Sequence, residues 1–385
     1  MSCLKIAMFT DSFYPAIDGV IVSIDSTCRE LQKRGHEVVI FATSALGKTV
    51  DGPNYRIVWL PARRFGHYEG YRISVYPSGI VSRIKDESPD IIHSHGISFA
   101  GIQALIASRN TGIKNVLTYH TMLTEAANFY SPPIMPVDVI MRLAWIYQRN
   151  YLRRPHAVII PTKAIQQELI RQGIVARRWA VIPTGVDCNR FSDKISGKHV
   201  RERLSLDGTK MLLAVGRIAK EKNLELMLQG FSRLLMVRDE VRLVIVGKGP
   251  AMEEYKTLAG NLGISDKVIF AGFVPDDDLP SYYAACDAFV IASRFETQGL
   301  VALEAMACAK PVAGLNHRAL PEIIQDGKNG YLFEDDPQSF SNCLERALDD
   351  RDHVSREARK TAESYSIEIC TGRLIELYKE ISGKG

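Results

Sequence analysis

Four charged side chains in the second half of this 385-residue chain have the types and spacing needed to hold a phosphorylated, hydroxyl-bearing ligand. Arg217 and Lys222 stand in "AVGRIAKEKN", just past an apolar run that ends at Gly216. Two cations at a strand end and before a helix suit a diphosphate. Free amides and the helix dipole favour anions there, and the cations neutralise them. A solvated basic loop is the competing reading. Glu296 and Glu304 stand in "SRFETQGLVALEAMACAKPV". A helix is expected from Gly299 to Ala307, so Gln298, Gly299 and Leu300 would offer amides at its start. Glu304, in the second turn, can accept hydrogen bonds from vicinal hydroxyls, as ribose-binding acids do. Glu296, in the loop, would reach whatever is attached beyond the phosphates. The alternatives are a helix-start charge for Glu296 and a surface carboxylate for Glu304. Two glycines flank Lys248 in "VGKGP"; they permit close approach of a ligand, or simply a tight strand-to-helix turn.

Other polar clusters carry less. His93 and His95 share a face of a strand, because side chains alternate. They could be a metal pair, but no third ligand follows at metal-like spacing, so a structural or acceptor-side role is preferred. The acidic run Asp276–Asp278 precedes "LPSYYAACD", where helix capping and solvation explain it.

These side chains must be positioned by regular elements. "LKIAMFT", "HEVVIFAT", "YRIVWLP", "PDIIHSHG", "NVLTYHT" and "HAVIIPT" read as strands, with room for helices between them. A helical stretch over residues 20–34 is stopped by Gly35. After a loop at "AVIPTGVDCNRFS" the pattern restarts with "KMLLAVGR", "VRLVIVGKG", "KVIFAGFV", "DAFVIAS", "PVAGL" and "GYLFE". Strands alternating with helices imply βαβ units and parallel sheets. The expected architecture is α/β, with two doubly wound, Rossmann-like domains over residues 1–190 and 191–369 and a hinge near residues 184–210. Such sheets bind ligands at the carboxyl ends of their strands, so a cleft between the domains is the expected site.

Composition limits the class. A length of 385 residues exceeds what one core usually serves. With 46% hydrophobic and 24% charged residues, the mix is that of a globular chain. No apolar run reaches the roughly 20 residues of a membrane span, and "MSCLKIAMFTDSFYP" does not read as a signal peptide. Seven dispersed cysteines without a CxxC pair suggest a reduced, cytoplasmic setting. Residues 1–190 carry 22 Lys+Arg against 14 Asp+Glu, a balance of +8, which leaves −4 for the rest of a chain of net charge +4. The basic half could meet anions. No nucleic-acid module appears.

Taken together, the motifs are similar to those of the retaining, nucleotide-sugar-dependent glycosyltransferases of the fourth sequence family. "FETQGLVALEAMACAKPV" resembles that family's E-x7-E segment and "AVGRIAKEKN" its R-x4-K segment. "DSFYPAIDGV" resembles its N-terminal loop, and "IPTGVD" its interdomain stretch. They occur in the family's order over nearly the whole chain. The resemblance implies the two-Rossmann (GT-B) fold, with the C-terminal helix of about residues 370–385 crossing back to the first domain. It implies that Gly19 lies against the donor, that Arg217 and Lys222 neutralise the diphosphate, that Glu304 holds the ribose and that Glu296 holds the transferred sugar. His120, in "TYHT", matches a histidine the family places over the reacting sugar; a packed histidine at a strand end is the alternative. The chain departs from the pattern at Ala309, where the family often has glycine, and at Asn316 and His317, where it often has a Gly-Gly pair. The donor is therefore open among UDP-glucose, UDP-galactose and GDP-mannose. "TQG" and "YHT" are similar to the branch that glycosylates diacylglycerol-type lipids.

The expected reaction is transfer of a hexose with retention, by front-face substitution, to a lipid or sugar acceptor. Arg217, Lys222 and helix-start amides would stabilise the departing diphosphate, making a metal unnecessary. Arg63, Arg64, Arg72, Arg83, Lys85, Arg149, Arg153 and Arg154, interleaved with apolar side chains such as Phe65 and Tyr68, could hold the protein peripherally on an anionic inner membrane face. A soluble acceptor is the alternative. Other classes stay open: a nucleotide-sugar epimerase, a phosphorylase on the same scaffold, or a non-catalytic binder. A dehydrogenase is disfavoured because no G-x-G-x-x-G follows the first strand.

Overall fold

The structure, a computed structural model, describes residues 3–11, 13, 19–43, 55–64, 72–74, 79–120, 136–349 and 351–384. The chain forms two compact units, residues 1–185 with 367–385, and residues 186–366.

The first unit is built on parallel strands whose residues are apolar on both faces, the signature of a sheet covered by helices. β1 (Lys5–Thr10), β2 (Glu37–Thr43), β3 (Arg56–Leu60), β6 (Ile91–His95), β7 (Asn115–Thr118), β8 (Ala157–Ile160) and β9 (Trp179–Val181) lie in the order β3-β2-β1-β6-β7-β8-β9. Alternation sorts β1: Ile6 and Met8 pack with Ile21, Ile24 and Cys28 of the helix Gly19–Lys33, while Ala7 and Phe9 pack toward Ile84, Ala104 and Ala107. The helix Ile367–Ser382 joins the first face through Leu374, Leu377 and Tyr378. A third cluster lies between β7, β8 and the helices Val137–Leu152 and Lys163–Arg171, with Leu117, Val158, Tyr151 and Leu169 at its centre.

Three strands were not expected. β4 (Ala62–Arg64) and β5 (Arg72–Ser74) form a short antiparallel ribbon, and β9 is a half-buried edge strand. Each of the three is three residues long, too short to show a period.

The second unit repeats the plan. β10 (Lys210–Val215), β11 (Val241–Val246), β12 (Val268–Gly272), β13 (Ala288–Ile291), β14 (Val312–Leu315) and β15 (Tyr331–Phe333) lie in the order β12-β11-β10-β13-β14-β15. β10 therefore sits between β11 and β13, and the chain reverses its direction of winding there. That reversal opens a crevice at the carboxyl ends of β10 and β13.

The loop read as a hinge over residues 184–210 is mostly part of the second unit. Val186, Phe191, Val200 and Leu206 are buried in its core. The Val186 amide donates to the Tyr365 carbonyl at 3.0 Å, and the Arg359 guanidinium donates to the carbonyls of Phe191 and Cys188 at 3.2 and 3.3 Å. The division falls after Gly185 and again after Ser366, where the sequence reading placed it at 190 and 369. All seven cysteines are free.

Candidate functional site

The crevice of the second unit gathers much of the chemistry. β10 ends at Val215 and Gly216, and Arg217 follows, exposed. A 3-10 turn, Lys220–Lys222, precedes the helix Leu224–Leu234. Opposite it, β13 runs through Ala292 and Ser293 into the loop carrying Glu296. Gly216, Arg217, Lys222, Ser293, Glu296 and Val301 line one pocket of about 370 Å³, counting the part open to solvent. Lys222 Nζ lies 2.7 Å from Glu296 Oε1. Burial alone would raise the pKa of Glu296; the Lys222 charge, its hydrogen bond and a bond to Ser293 outweigh that and hold it below the usual carboxylate range. A carboxylate and an ammonium thus face the same pocket in their ionised forms.

Gln298, Gly299, Leu300 and Glu304 of the sequence-selected donor set also belong to the second unit, outside that lining. The helix Leu300–Ala307 begins after Gly299, whose φ is +89° and where a Cβ would come 2.8 Å from Leu320 Cδ2; only glycine fits there. Gln298 is buried. Glu304 is 7% exposed, and its Oε2 accepts a hydrogen bond from Tyr283 at 2.6 Å. Burial pushes its pKa up to about 7, while Tyr283 and Arg190 pull it down. It is therefore not the surface carboxylate of the bland reading. One of its oxygens is engaged by a tyrosine that no sequence pattern associated with it.

The glycines around Lys248 follow the packing alternative. A Cβ at Gly247 would lie 1.9 Å from the Gly216 carbonyl oxygen, and one at Gly249 2.0 Å from that of Ile218. Their smallness lets two loops touch backbone to backbone. The acidic run also differs from expectation. Asp278 makes no side-chain cap on the helix Leu279–Ala285; it bonds His199 at 3.1 Å and Arg203 at 2.9 Å. Asp276 lies 3.6 Å from Arg190.

In the first unit, β1 pairs with β2 on one side and β6 on the other, so its reversal of winding lies between β1 and β6. His93 and His95 stand at that edge, and β7 brings His120 to them. His95 Nδ1 lies 3.0 Å from His120 Nε2, and the rings of His93 and His95 are 4.1 Å apart. His93 Nδ1 lies 2.6 Å from the Tyr378 hydroxyl and its Nε2 2.7 Å from Thr118 Oγ1. Burial lowers all three pKa values, His93 to about 3 and His120 to about 4. The cluster is neutral at pH 7. His95 Nε2 has no partner. A buried N–H left unbonded costs more than a bare lone pair, so His95 donates from Nδ1 and His120 accepts at Nε2, which places the His120 proton on Nδ1.

Gly19 opens the helix Gly19–Lys33 and is exposed; a Cβ there would meet nothing within 4 Å. Packing within the described chain does not require glycine at that position. Of the membrane-side set, Arg63, Arg64 and Arg72 lie in β4 and β5, and their side chains fall outside the described residues, as do Phe65, Tyr68 and most of "DSFYPAIDG". Arg83 donates to the Trp59 carbonyl at 3.1 Å, Ile80 and Ile84 are buried, and Lys85 is exposed.

Residues 17–190 match the family described as Glycosyltransferase Family 4, and residues 197–365 match Glycosyl transferases group 1. An alpha-monoglucosyldiacylglycerol synthase of Streptococcus pneumoniae is 30% identical over 97% of this chain and 85% of its own length. The chain belongs to glycosyltransferase family 4. Another alpha-monoglucosyldiacylglycerol synthase, of Acholeplasma laidlawii, is 24% identical over 99% of this chain and 98% of its own. Among solved structures, a sucrose-phosphate synthase of Thermosynechococcus elongatus superposes with a TM-score of 0.83 at 20% identity, covering 99% and 100% of the two chains; this likeness shows the fold. The family-4 enzyme is a hexosyltransferase that uses a nucleotide sugar, and epimerase or phosphorylase chemistry is not favoured. Among its described residues, no helix is long and apolar enough to cross a membrane.

Proposed function

We propose that this family-4 enzyme transfers glucose from a nucleoside-diphosphate sugar to a diacylglycerol-type lipid, with retention and without a metal. One observation carries the donor half of this reading: Lys222 and Glu296, ion-paired at 2.7 Å, line the same pocket as Gly216 and Arg217 at the reversal of the second sheet. In transfer the bond from the anomeric carbon to the diphosphate oxygen breaks, and a bond to the acceptor oxygen forms on the same face. The acceptor proton passes to the leaving phosphate oxygen. Arg217 and Lys222 offset the charge growing on that phosphate, as fixed cations do most effectively where charge develops. When Lys222 turns to the diphosphate, Glu296 is left ionised to accept hydrogen bonds from the sugar hydroxyls. His120, neutral and with its proton on Nδ1, has the chemistry of a hydrogen-bond donor and not of a cation. The lipid acceptor rests on the two synthases named above.

The test is a product screen with UDP-glucose, UDP-galactose and GDP-mannose, each with and without diacylglycerol in detergent. A glucosylated lipid from UDP-glucose is the expected outcome. Turnover of the nucleotide sugar without acceptor, or transfer only to soluble sugars, would overturn the lipid reading. Undiminished turnover in a chelator is expected; its loss would overturn the metal-free reading.

A further inference from the structure

The helix Val137–Leu152 is amphipathic in the opposite sense from a surface helix of a globular domain. At about 100° per residue, Val139, Arg142, Leu143, Ile146, Arg149 and Arg153 fall on one side, and all are exposed. Val139, Leu143 and Ile146 are 44%, 54% and 47% exposed. The other side carries the packed residues: Ala144, Gln148, Tyr151 and Leu152 are buried. Three large aliphatic side chains in water on consecutive turns have no folding role, because the core they could join is on the far side of their own helix.

The patch extends beyond the helix. Tyr147 donates to the Ile97 carbonyl, which sets the helix Phe99–Thr111 alongside, with Phe99 and Ile102 exposed. At the other end, Arg149 donates to the Gln172 carbonyl at 3.1 Å, next to exposed Ile170 and Val175. Charge selects the occupant. Residues 136–178 contain eight Lys+Arg and two Asp+Glu, and Asp138 is the helix's sole acid. Among the described residues, no acid forms an ion pair with Arg142, Arg153 or Arg154.

We propose that this face of the helix Val137–Leu152 is the surface that seats the enzyme on an anionic lipid bilayer. Aliphatic side chains flanked by arginines match the boundary between acyl chains and anionic headgroups. A second copy fits poorly, since a twofold contact would bring arginine against arginine. The inference rests on the lipid-acceptor reading for its purpose and on the helix alone for its chemistry. It also shifts the membrane contact away from the helix Ile80–Glu87, whose Ile80 and Ile84 are buried.

The experiment is flotation of the full chain with vesicles of phosphatidylglycerol mixed with phosphatidylcholine, and with vesicles of phosphatidylcholine alone. The wild type is expected to float with the anionic vesicles and to lose about tenfold in partitioning on the neutral ones or in high salt. Leu143→Asp with Ile146→Asp, and separately Arg142→Gln with Arg153→Gln, should each lower anionic partitioning by about tenfold, with the thermal midpoint unchanged because the residues are exposed. Lys85→Gln should change it little. The proposal is overturned if the helix variants float like the wild type, if the wild type ignores lipid charge, or if it stays in the buffer. A dimer that these variants disperse would overturn it in favour of self-association. Flotation that depends on the helix, without transfer to detergent-dispersed lipid, would sink the acceptor reading and leave the docking surface standing.

Discussion

Lys222 is the residue on which the donor site turns. Its ammonium keeps a half-buried carboxylate ionised and faces the pocket of Gly216 and Arg217. Lys222→Ala should weaken binding of a nucleoside diphosphate about tenfold or more, the loss of one charge-assisted contact, read by calorimetry; unchanged affinity would remove the diphosphate assignment. The same variant should move the acid limb of the transfer profile upward, since burial of Glu296 would then be opposed by the Ser293 hydrogen bond and no longer by a cation. Glu304 shows the opposite behaviour. Its folded pKa is raised to about 7 from 4.5, so the folded state binds the proton more tightly. The associated stability is fully present below pH 4.5 and is lost as pH rises through 7. Glu304→Gln should flatten that decline between pH 5 and 8, followed by urea midpoints. An unaltered slope would mean that the carboxyl is not held protonated.

At the scale of elements, one departure from the family pattern has a structural reason. Ala309 has φ of +54°. The Ala309 amide donates to the Met306 carbonyl at 2.9 Å and that of Lys310 to Ala305 at 3.0 Å, the two bonds of a Schellman ending to the helix Leu300–Ala307. Glycine adopts that left-handed backbone without strain. Ala309→Gly should therefore stabilise the chain by about 1 kcal/mol, a rise in urea midpoint; no rise would mean the ending is looser than described. Gly247→Ala should do the reverse, by roughly 3 kcal/mol or more, because φ is +133° and the new methyl would meet the Gly216 carbonyl. Loss of β10–β11 packing would appear as a low melting midpoint.

At the scale of the whole molecule, the two units respond differently to acid. His93 and His95 are buried and His120 is half-buried in the first unit, and all three are neutral. Their folded pKa values are depressed below 6.5, so the unfolded chain takes up protons first. The stability they contribute is present above pH 6.5 and falls as pH drops toward 4 and 3. Trp59, Trp145 and Trp179 all lie in the first unit, so tryptophan emission reports on it alone. Its urea midpoint should fall from pH 6.5 to 4, and His120→Asn should make the fall shallower. A slope that the variant leaves intact would mean the imidazole cluster is not the cause.

The sequence by itself determined the layers. "LKIAMFT" and "KMLLAVGR" are apolar on both faces, a pattern compatible only with strands covered from both sides, and it reached Arg217, Lys222 and Glu296 because each follows such a run. Only tertiary structure decided which of these groups meet. β10 and β13 are neighbours by crossover, so Lys222 and Glu296, 74 positions apart, become an ion pair. Tyr378 reaches His93 across 285 positions because the last helix returns to the first sheet. Tyr283 claims an oxygen of Glu304, and His120 joins two histidines that looked unpartnered. Short-range pattern records which face a residue turns to, because alternation and helical period are local. Contact between loops depends on strand order, which is fixed by the packing of the whole sheet.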